Sequence, residues 1–337
     1  MRYLGVDLHT NSFTVAYRTE KGSDRVREYQ LRKIGEFKRT LRKTDKVAVE
    51  ATGNTRYFVG QVCNRVKEVI AVDPNKFEVI KKSVNKTDEN DAKTLALFLS
   101  KDMLPKARLK TKEDAQISSL VGTRDKLVKL RTTLINKIHN ILNSYGIKRK
   151  KESFSSNKGL DSILCLDFDD IVLFELKILV TQIKSLNDNI KRLDIEISQR
   201  GKKLEGHKNL SSIKGIGDKS ATILLSVIGN VNDFADEDKL AAYFGIVPRV
   251  SKSNQTEHHG RITKRGSKIG RTTLVQCTLI AKRYSPYLAK YYERIKARRG
   301  SGKAIIATAR KLLGIIYNTL KNDWVFEDFP NFVLVSS

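Results

Sequence analysis

The 337-residue chain carries 64 Lys and Arg against 37 Asp and Glu, a formal net charge of +27, with 40% of its residues hydrophobic. That length accommodates two domains, or two and a helical connector, and no apolar run is long enough to span a bilayer. The basic residues spread along the whole chain, with runs at 148–151 and 298–299. This pattern predicts salt-sensitive contact with an extended polyanion rather than a membrane surface, the plain alternative being a soluble protein with a basic exterior.

Cys63, Cys165 and Cys277 are odd in number and far apart, which excludes a zinc ribbon and a disulfide framework and points to a reducing compartment. Residues 1–7 pass directly into a strand pattern with no charged-then-apolar leader, so a cytosolic (cytoplasmic) location is expected.

In chain order, residues 3–7, 13–18 and 25–31 are short β-type runs separated by Thr10-Asn11-Ser12 and Gly22-Ser23-Asp24. A helix is predicted over 34–41, a buried strand over 46–50, a helix over 57–66 and a strand over 68–72, followed by Asp73-Pro74. A further helical pattern opens at Asp88. Together these predict an α/β layer with a mixed sheet. From 112 to about 147 a long helix repeats Leu120, Leu127, Leu134 and Ile141, with Val121, Val128, Ile135 and Leu142 beside them. A second repeat runs Leu176, Ile183, Ile190 and Ile197, interleaved with Leu179, Leu186 and Leu193. Spacing of three and four over successive heptads is a coiled-coil seam. It fits either an antiparallel pair within one chain or a dimer seam. The polar, Ser-rich residues 148–161 predict a mobile insert. From Asn209 the chain predicts short helices around glycine. Ile213-Lys214-Gly215-Ile216-Gly217 has the form of a helix-hairpin-helix, where a Gly-x-Gly turn lets backbone N–H groups meet a DNA phosphate. Lys214, Gly215 and Gly217 are the candidate contacts, and a plain helix–turn–helix corner is the alternative.

Four acids stand out against this basic background. Asp7 and Glu50 each end an apolar strand run, whereas Asp88 and Asp91 share one helix face three residues apart. Carboxylates at strand ends and on one helical turn suit hard divalent cations beside a phosphodiester, and two acids so close repel without a cation. Individually, Asp88 could be an N-cap, Asp91 an acid favoured by the helix dipole and Glu50 a chance strand end. Asp73 before Pro74 is better explained by turn chemistry.

A second constellation spans 248–271. Ser251 and Ser253 lie among Arg249, Lys252, Arg261, Lys264, Arg265, Lys268 and Arg271. Hydroxyls in such a field can be phosphate ligands or a nucleophile with its phosphate clamp, and the alternative is a solvated basic loop gripping a backbone. His258 and His259, on the same expected loop, are too few for zinc and suit an accessory phosphate contact or base.

Gly5-Val6-Asp7-Leu8-His9, Val49-Glu50-Ala51-Thr52-Gly53, Lys86-Thr87-Asp88-Glu89-Asn90-Asp91-Ala92 and Gly260-Arg261-Ile262-Thr263-Lys264-Arg265-Gly266 resemble motifs of the DEDD-type transposases of bacterial insertion sequences, the bridge-RNA-guided recombinases. Gly302-Lys303-Ala304 through Ala309-Arg310-Lys311-Leu312-Leu313 resembles that family's C-terminal end, so the resemblance runs from residue 1 to about 325. It implies an α/β plus α fold: an N-terminal RuvC-like (ribonuclease H-type) domain, placed here at 1–111, a coiled-coil connector at 112–205, and a mainly helical C-terminal transposase domain at 206–326. It implies that Asp7, Glu50, Asp88 and Asp91 ligate Mg²⁺ (or Mn²⁺). It also implies a catalytic serine shortly after Pro248, for which Ser253 has the matching offset. Asn254 follows where the family commonly has glycine, so Ser251 stays a second candidate. The implied partners are donor and target DNA duplexes, a structured guide RNA, and further copies of the chain as a dimer or tetramer. Two other functions fit the residues: a metal-dependent junction-resolving nuclease using water, and a non-catalytic nucleic-acid-binding protein.

Overall fold

Three β-type runs pair antiparallel in succession: β1 (Arg2–Leu8), β2 (Ser12–Thr19) and β3 (Asp24–Gln30). The chain then passes through α1 (Ile34–Thr40) to β4 (Lys46–Glu50), parallel to β1, and through α2 (Thr55–Val62) to β5 (Glu68–Val72), parallel to β4. The computed structural model describes residues 1–74, 76–77, 87–253 and 256–325. Among them the sheet order is β3-β2-β1-β4-β5, with β1 central, as the mixed α/β reading expects. The chain divides into two units, 1–109 and 110–337.

Strand alternation gives the sheet two unlike faces. Leu4, Val6, Val47 and Val49 form one core with Phe13, Phe37, Phe58 and Val62 from the neighbouring elements, all fully buried. Phe13 meets Phe37 and Phe58 edge-on at centroid distances of 5.2 and 5.3 Å, and truncating such a ring costs about 3–5 kcal/mol. The other face is shallow. Gly5, Ala16 and Ala48 provide a seat for Ala92, Leu95 and Ala96 of α3 (Asp88–Ser100). Behind the first strand, fully buried Asp45 accepts from Arg2 Nε (3.0 Å), Arg2 Nη2 (2.7 Å) and the Arg42 amide (2.8 Å).

The second unit opens with two long helices, α4 (Lys112–Ser144) and α6 (Asp170–Gly201), joined through α5 (Asn157–Leu164). Arg124 pairs with Asp194, Arg131 with Asn187 and Lys137 with Glu175. Partners converge in sequence toward the connection, so the helices run antiparallel within one chain. On α6 the heptad residues Leu176, Ile183, Ile190 and Ile197 are buried as the spacing predicts. On α4 the seam is less even, with Leu127, Val128, Leu134 and Ile135 only half-buried. The insert at 148–161, expected from its composition to be mobile, carries regular structure. It forms a 3-10 turn (Lys151–Ser155) and the start of α5, and Phe154, Leu160 and Ile163 are buried against the helix pair. Its Ser-rich composition hid an amphipathic turn capped by Ser156, whose hydroxyl accepts from the Gly159 amide at 3.1 Å.

The remaining core gathers α7 (His207–Ser212), α8 (Asp218–Ile228), α9 (Glu237–Phe244), α10 (Lys268–Tyr284), α11 (Pro286–Arg299) and α12 (Ser301–Lys321). The stretch expected as a basic loop is instead a β-hairpin, β6 (Pro248–Ser253) and β7 (Thr256–Ile262), so His258 and His259 are strand residues. Its mostly polar composition gives no hydrophobic alternation to read, while backbone pairing supplies the order. No helix of the described residues is long and apolar enough to cross a membrane.

Candidate metal centre and nucleic-acid interface

β1 and β4 run parallel with Val6 opposite Val49, so the next residues, Asp7 and Glu50, leave adjacent strand ends together. Asp7 follows Gly5 by two and Glu50 follows Ala48 by two, so both belong to the face that seats α3. Helix α3 begins there. Thr87 caps it, its hydroxyl accepting from the Asn90 amide at 3.2 Å, and the first turn presents Asp88 and Asp91. All four carboxylates line one cleft of about 240 Å³. Asp91 is buried at 7% exposure, Asp7 is largely covered and Asp88 faces solvent.

The strand ends are held from below. Thr55 Oγ1 donates to the Glu50 carbonyl at 2.7 Å and accepts from the Thr52 amide at 2.8 Å. Asn54 Nδ2 donates to the His9 and Thr10 carbonyls at 3.2 and 3.3 Å. These ties fix the backbone that carries the acids. Asp73, set aside as a turn residue, accepts at its carbonyl from the amides of Lys76 (3.1 Å) and Phe77 (3.0 Å).

Electrostatics register the convergence. Burial pushes the Asp7 carboxyl above its ordinary range; His9 opposes this, and Asp88, Asp91 and Glu50 add to it. Such a group gains from a cation more than from water. His9 is a residue the four-acid reading missed. Its Nε2 lies 3.3 Å from Asp7 Oδ2 and 3.1 Å from Asp88 Oδ2. Asp7, His9 and Asp88 offer ligand atoms all within 4.8 Å of one another. Oxygen donors of this number and charge fit Mg²⁺ or Mn²⁺, with one imidazole favouring Mn²⁺ slightly. The signal was available: His9 stands two residues beyond Asp7, just past the strand.

In the second unit, Ser253 ends β6 in register with Thr256, and Ser251 is in register with His258. Asn254 lies outside the described residues. Arg249, Arg261, Lys264, Arg265 and Lys268 are exposed in or just after the hairpin. Lys264 takes a left-handed backbone, φ 54°, and its amide donates to the Gly245 carbonyl at 3.0 Å. Gly245 and Gly266 interlock: a β-carbon on the first would lie 1.9 Å from the Arg265 carbonyl oxygen, and one on the second 2.0 Å from that of Tyr243.

Arg271, expected as a nucleic-acid contact, also has a structural tie. Its Nη1 donates to the carbonyls of Phe244 (3.0 Å) and Gly266 (3.1 Å), tying the end of α9 to this turn. The helix-hairpin-helix candidate likewise has a packing explanation. Gly215 has φ 104°, and a β-carbon there would lie 2.6 Å from the Ala281 amide nitrogen of α10. Gly217 remains open, and Lys214 Nζ lies 5.9 Å from the Tyr284 ring centroid.

A DEDD-type IS110 transposase model matches residues 4–147, and the model of the transposase IS116/IS110/IS902 family matches residues 207–293. The chain is 27% identical to the transposase for insertion sequence element IS1111A of Coxiella burnetii, over 81% of this chain and 77% of that one. It is 24% identical to the transposase for IS1328 of Yersinia enterocolitica (96% and 98% covered) and 26% identical to the pilin gene-inverting protein of Moraxella bovis (96% and 97%). Two family models on successive stretches, and relatives matched over 77–98% of their own length, lead to one conclusion: the chain belongs to the DEDD-type insertion-sequence transposases of the IS110 family.

Proposed function

We propose that this transposase cuts and rejoins DNA using a divalent cation held by Asp7, Glu50, Asp88 and Asp91, and a serine nucleophile, Ser253. The observation that carries the reading is the gathering of those four carboxylates in one cleft. The sheet order, three antiparallel strands followed by two parallel ones with a helix across the face, supports a RuvC-like (ribonuclease H-type) domain. Residues 1–111, 112–205 and 206–326 are taken as catalytic domain, helical connector and transposase domain.

Bound at the acids, Mg²⁺ or Mn²⁺ would polarise the scissile phosphate and offset charge in the displacement. The serine Oγ–phosphorus bond forms as the phosphorus–deoxyribose oxygen bond breaks, and the serine proton ends on the departing oxygen or on water. The phosphoserine ester keeps the bond energy for rejoining, when a deoxyribose hydroxyl displaces the serine. Arg261, Lys264 and Arg265 balance the phosphate's charge. A structured guide RNA selecting donor and target, and a dimer or tetramer handling two duplexes, belong to the same proposal; the +27 charge supports the polyanion partners.

The test is a denaturing gel of purified protein with element-encoded RNA, donor and target DNA and Mg²⁺. A covalent protein–DNA adduct that is lost in Ser253→Ala and kept in Ser251→Ala supports the reading. Cleavage without any adduct would favour the water-using nuclease.

A further inference from the structure

The hairpin, the N-terminal half of α12 and the end of α11 enclose a cleft of about 830 Å³ within the second unit. Its lining joins cationic with apolar side chains. Arg261, Arg299, Lys303 and Lys311 line it and are exposed, and among the described residues none of the four makes an ion pair. Of the two acids that share the cleft, Asp238 accepts at 2.7 Å from Nη2 of Arg310, another lining residue, and Glu237 accepts from Asn318 Nδ2 at 3.5 Å. Ile306 and Tyr291 contribute apolar and aromatic lining, and the Tyr291 ring is flanked by Arg294 (5.3 Å) and Lys311 (5.9 Å).

Duplex backbone requires cations on an open surface, not an apolar recess behind them. A recess in the range of about 300–1,000 Å³, with an aromatic ring and exposed cations in its lining, suits a base taken out of its stack with its phosphates left outside. Its wall is the hairpin whose first strand carries Ser251 and Ser253.

We propose that this cleft receives an unpaired DNA nucleotide, its base against Tyr291 and Ile306 and its flanking phosphates on Arg261, Arg299 and Lys303. The inference rests on the DNA-processing function proposed above and adds what the second unit holds: a base extruded from the strand. Tyr291 is a positioning residue here, separate from the serine chemistry.

The experiment uses the full-length protein and a short single-stranded DNA carrying 2-aminopurine, with a duplex and an RNA of the same sequence. Anisotropy reads affinity, and 2-aminopurine fluorescence reads stacking. Tyr291→Ala weakens single-stranded DNA binding about 5- to 150-fold, the worth of one base stacked on an aromatic ring. Tyr291→Phe keeps it, and duplex affinity changes less than twofold in both. Lys303→Gln weakens both DNA forms and makes the salt dependence shallower. Equal losses for duplex and single strand, or unchanged 2-aminopurine fluorescence in the wild-type complex, overturn the proposal. Tighter, Tyr291-dependent binding of the RNA overturns the assignment to DNA. The wild-type fluorescence decides even where Tyr291→Ala fails to fold. Loss of the single-strand preference beside an intact serine adduct removes this inference alone, and absence of the adduct beside normal stacking removes only the serine reading.

Discussion

Gly5→Ala adds one methyl group whose nearest neighbours are all uncharged, yet it should disable the acidic cleft. A β-carbon at Gly5 would lie 2.1 Å from the Ala92 carbonyl oxygen, 2.4 Å from the Ala96 amide nitrogen and 2.9 Å from the Leu95 β-carbon. Two of those contacts are helix backbone, which no rotamer change can clear. Ordinary contact begins near 3.4 Å, so α3 must lift from β1 by about 1 Å. Overpacking of this kind costs about 1–3 kcal/mol. Asp88 and Asp91 ride on the same helix, and misplacement by about 1 Å costs on the order of a hundredfold in rate. Ala at Gly53 or Gly60, where nothing lies within 4 Å of the added carbon, is the matched control. The assay pairs thermal unfolding, with and without Mn²⁺, with Mn²⁺-dependent strand cleavage. Gly5→Ala should lower the melting temperature and abolish most of the metal-induced rise, and the control should do neither. A Gly5→Ala protein with wild-type stability and a full response to Mn²⁺ would refute the close seating of helix on sheet.

Burial raises the Asp7 carboxyl, so without metal the folded chain holds that proton more tightly than the unfolded chain. Stability therefore falls as pH climbs from the ordinary value of 3.8 through the raised one and stays reduced at neutrality. Asp7→Asn should melt higher than wild type at pH 7 in chelator, the gap closing toward pH 3 in calorimetry. Asp45→Ala leaves Arg2 half-buried without its partner and should destabilise the first unit by about 3–5 kcal/mol in urea unfolding. Arg271→Gln should cost about 1.5–3 kcal/mol by releasing the α9 turn. Arg261→Ala should leave melting unchanged and lower DNA affinity at low salt, read by anisotropy.

Much of the first unit was legible because its strands are short, apolar and separated by turn residues. Asp7 and Glu50 could be read as strand-end acids for that reason, and Asp88 and Asp91 as neighbours from helical spacing. Their union depended on something periodicity does not carry: the small residues Gly5, Ala16 and Ala48, which let α3 descend onto the sheet. His9 was missed because its role arises only when the loop after β1 meets the start of α3. In the second unit, composition left two features unread. Ser-rich 148–161 conceals a buried face, and the dense basic run at 248–262 conceals a hairpin held by backbone pairing. The tie from Arg271 to the Phe244 and Gly266 carbonyls was not legible, because charge in a sequence does not reveal which carbonyls a guanidinium will meet.

Mn²⁺ titration followed by electron paramagnetic resonance tests the central claim most directly, since it needs neither DNA nor turnover. Wild-type protein should take up Mn²⁺ at a site that Asp7→Asn, Glu50→Gln and Asp91→Asn each weaken at least tenfold. Lys303→Gln, in the other unit, should leave uptake unchanged. Undiminished Mn²⁺ binding in Asp7→Asn and Asp91→Asn would contradict a shared cation site.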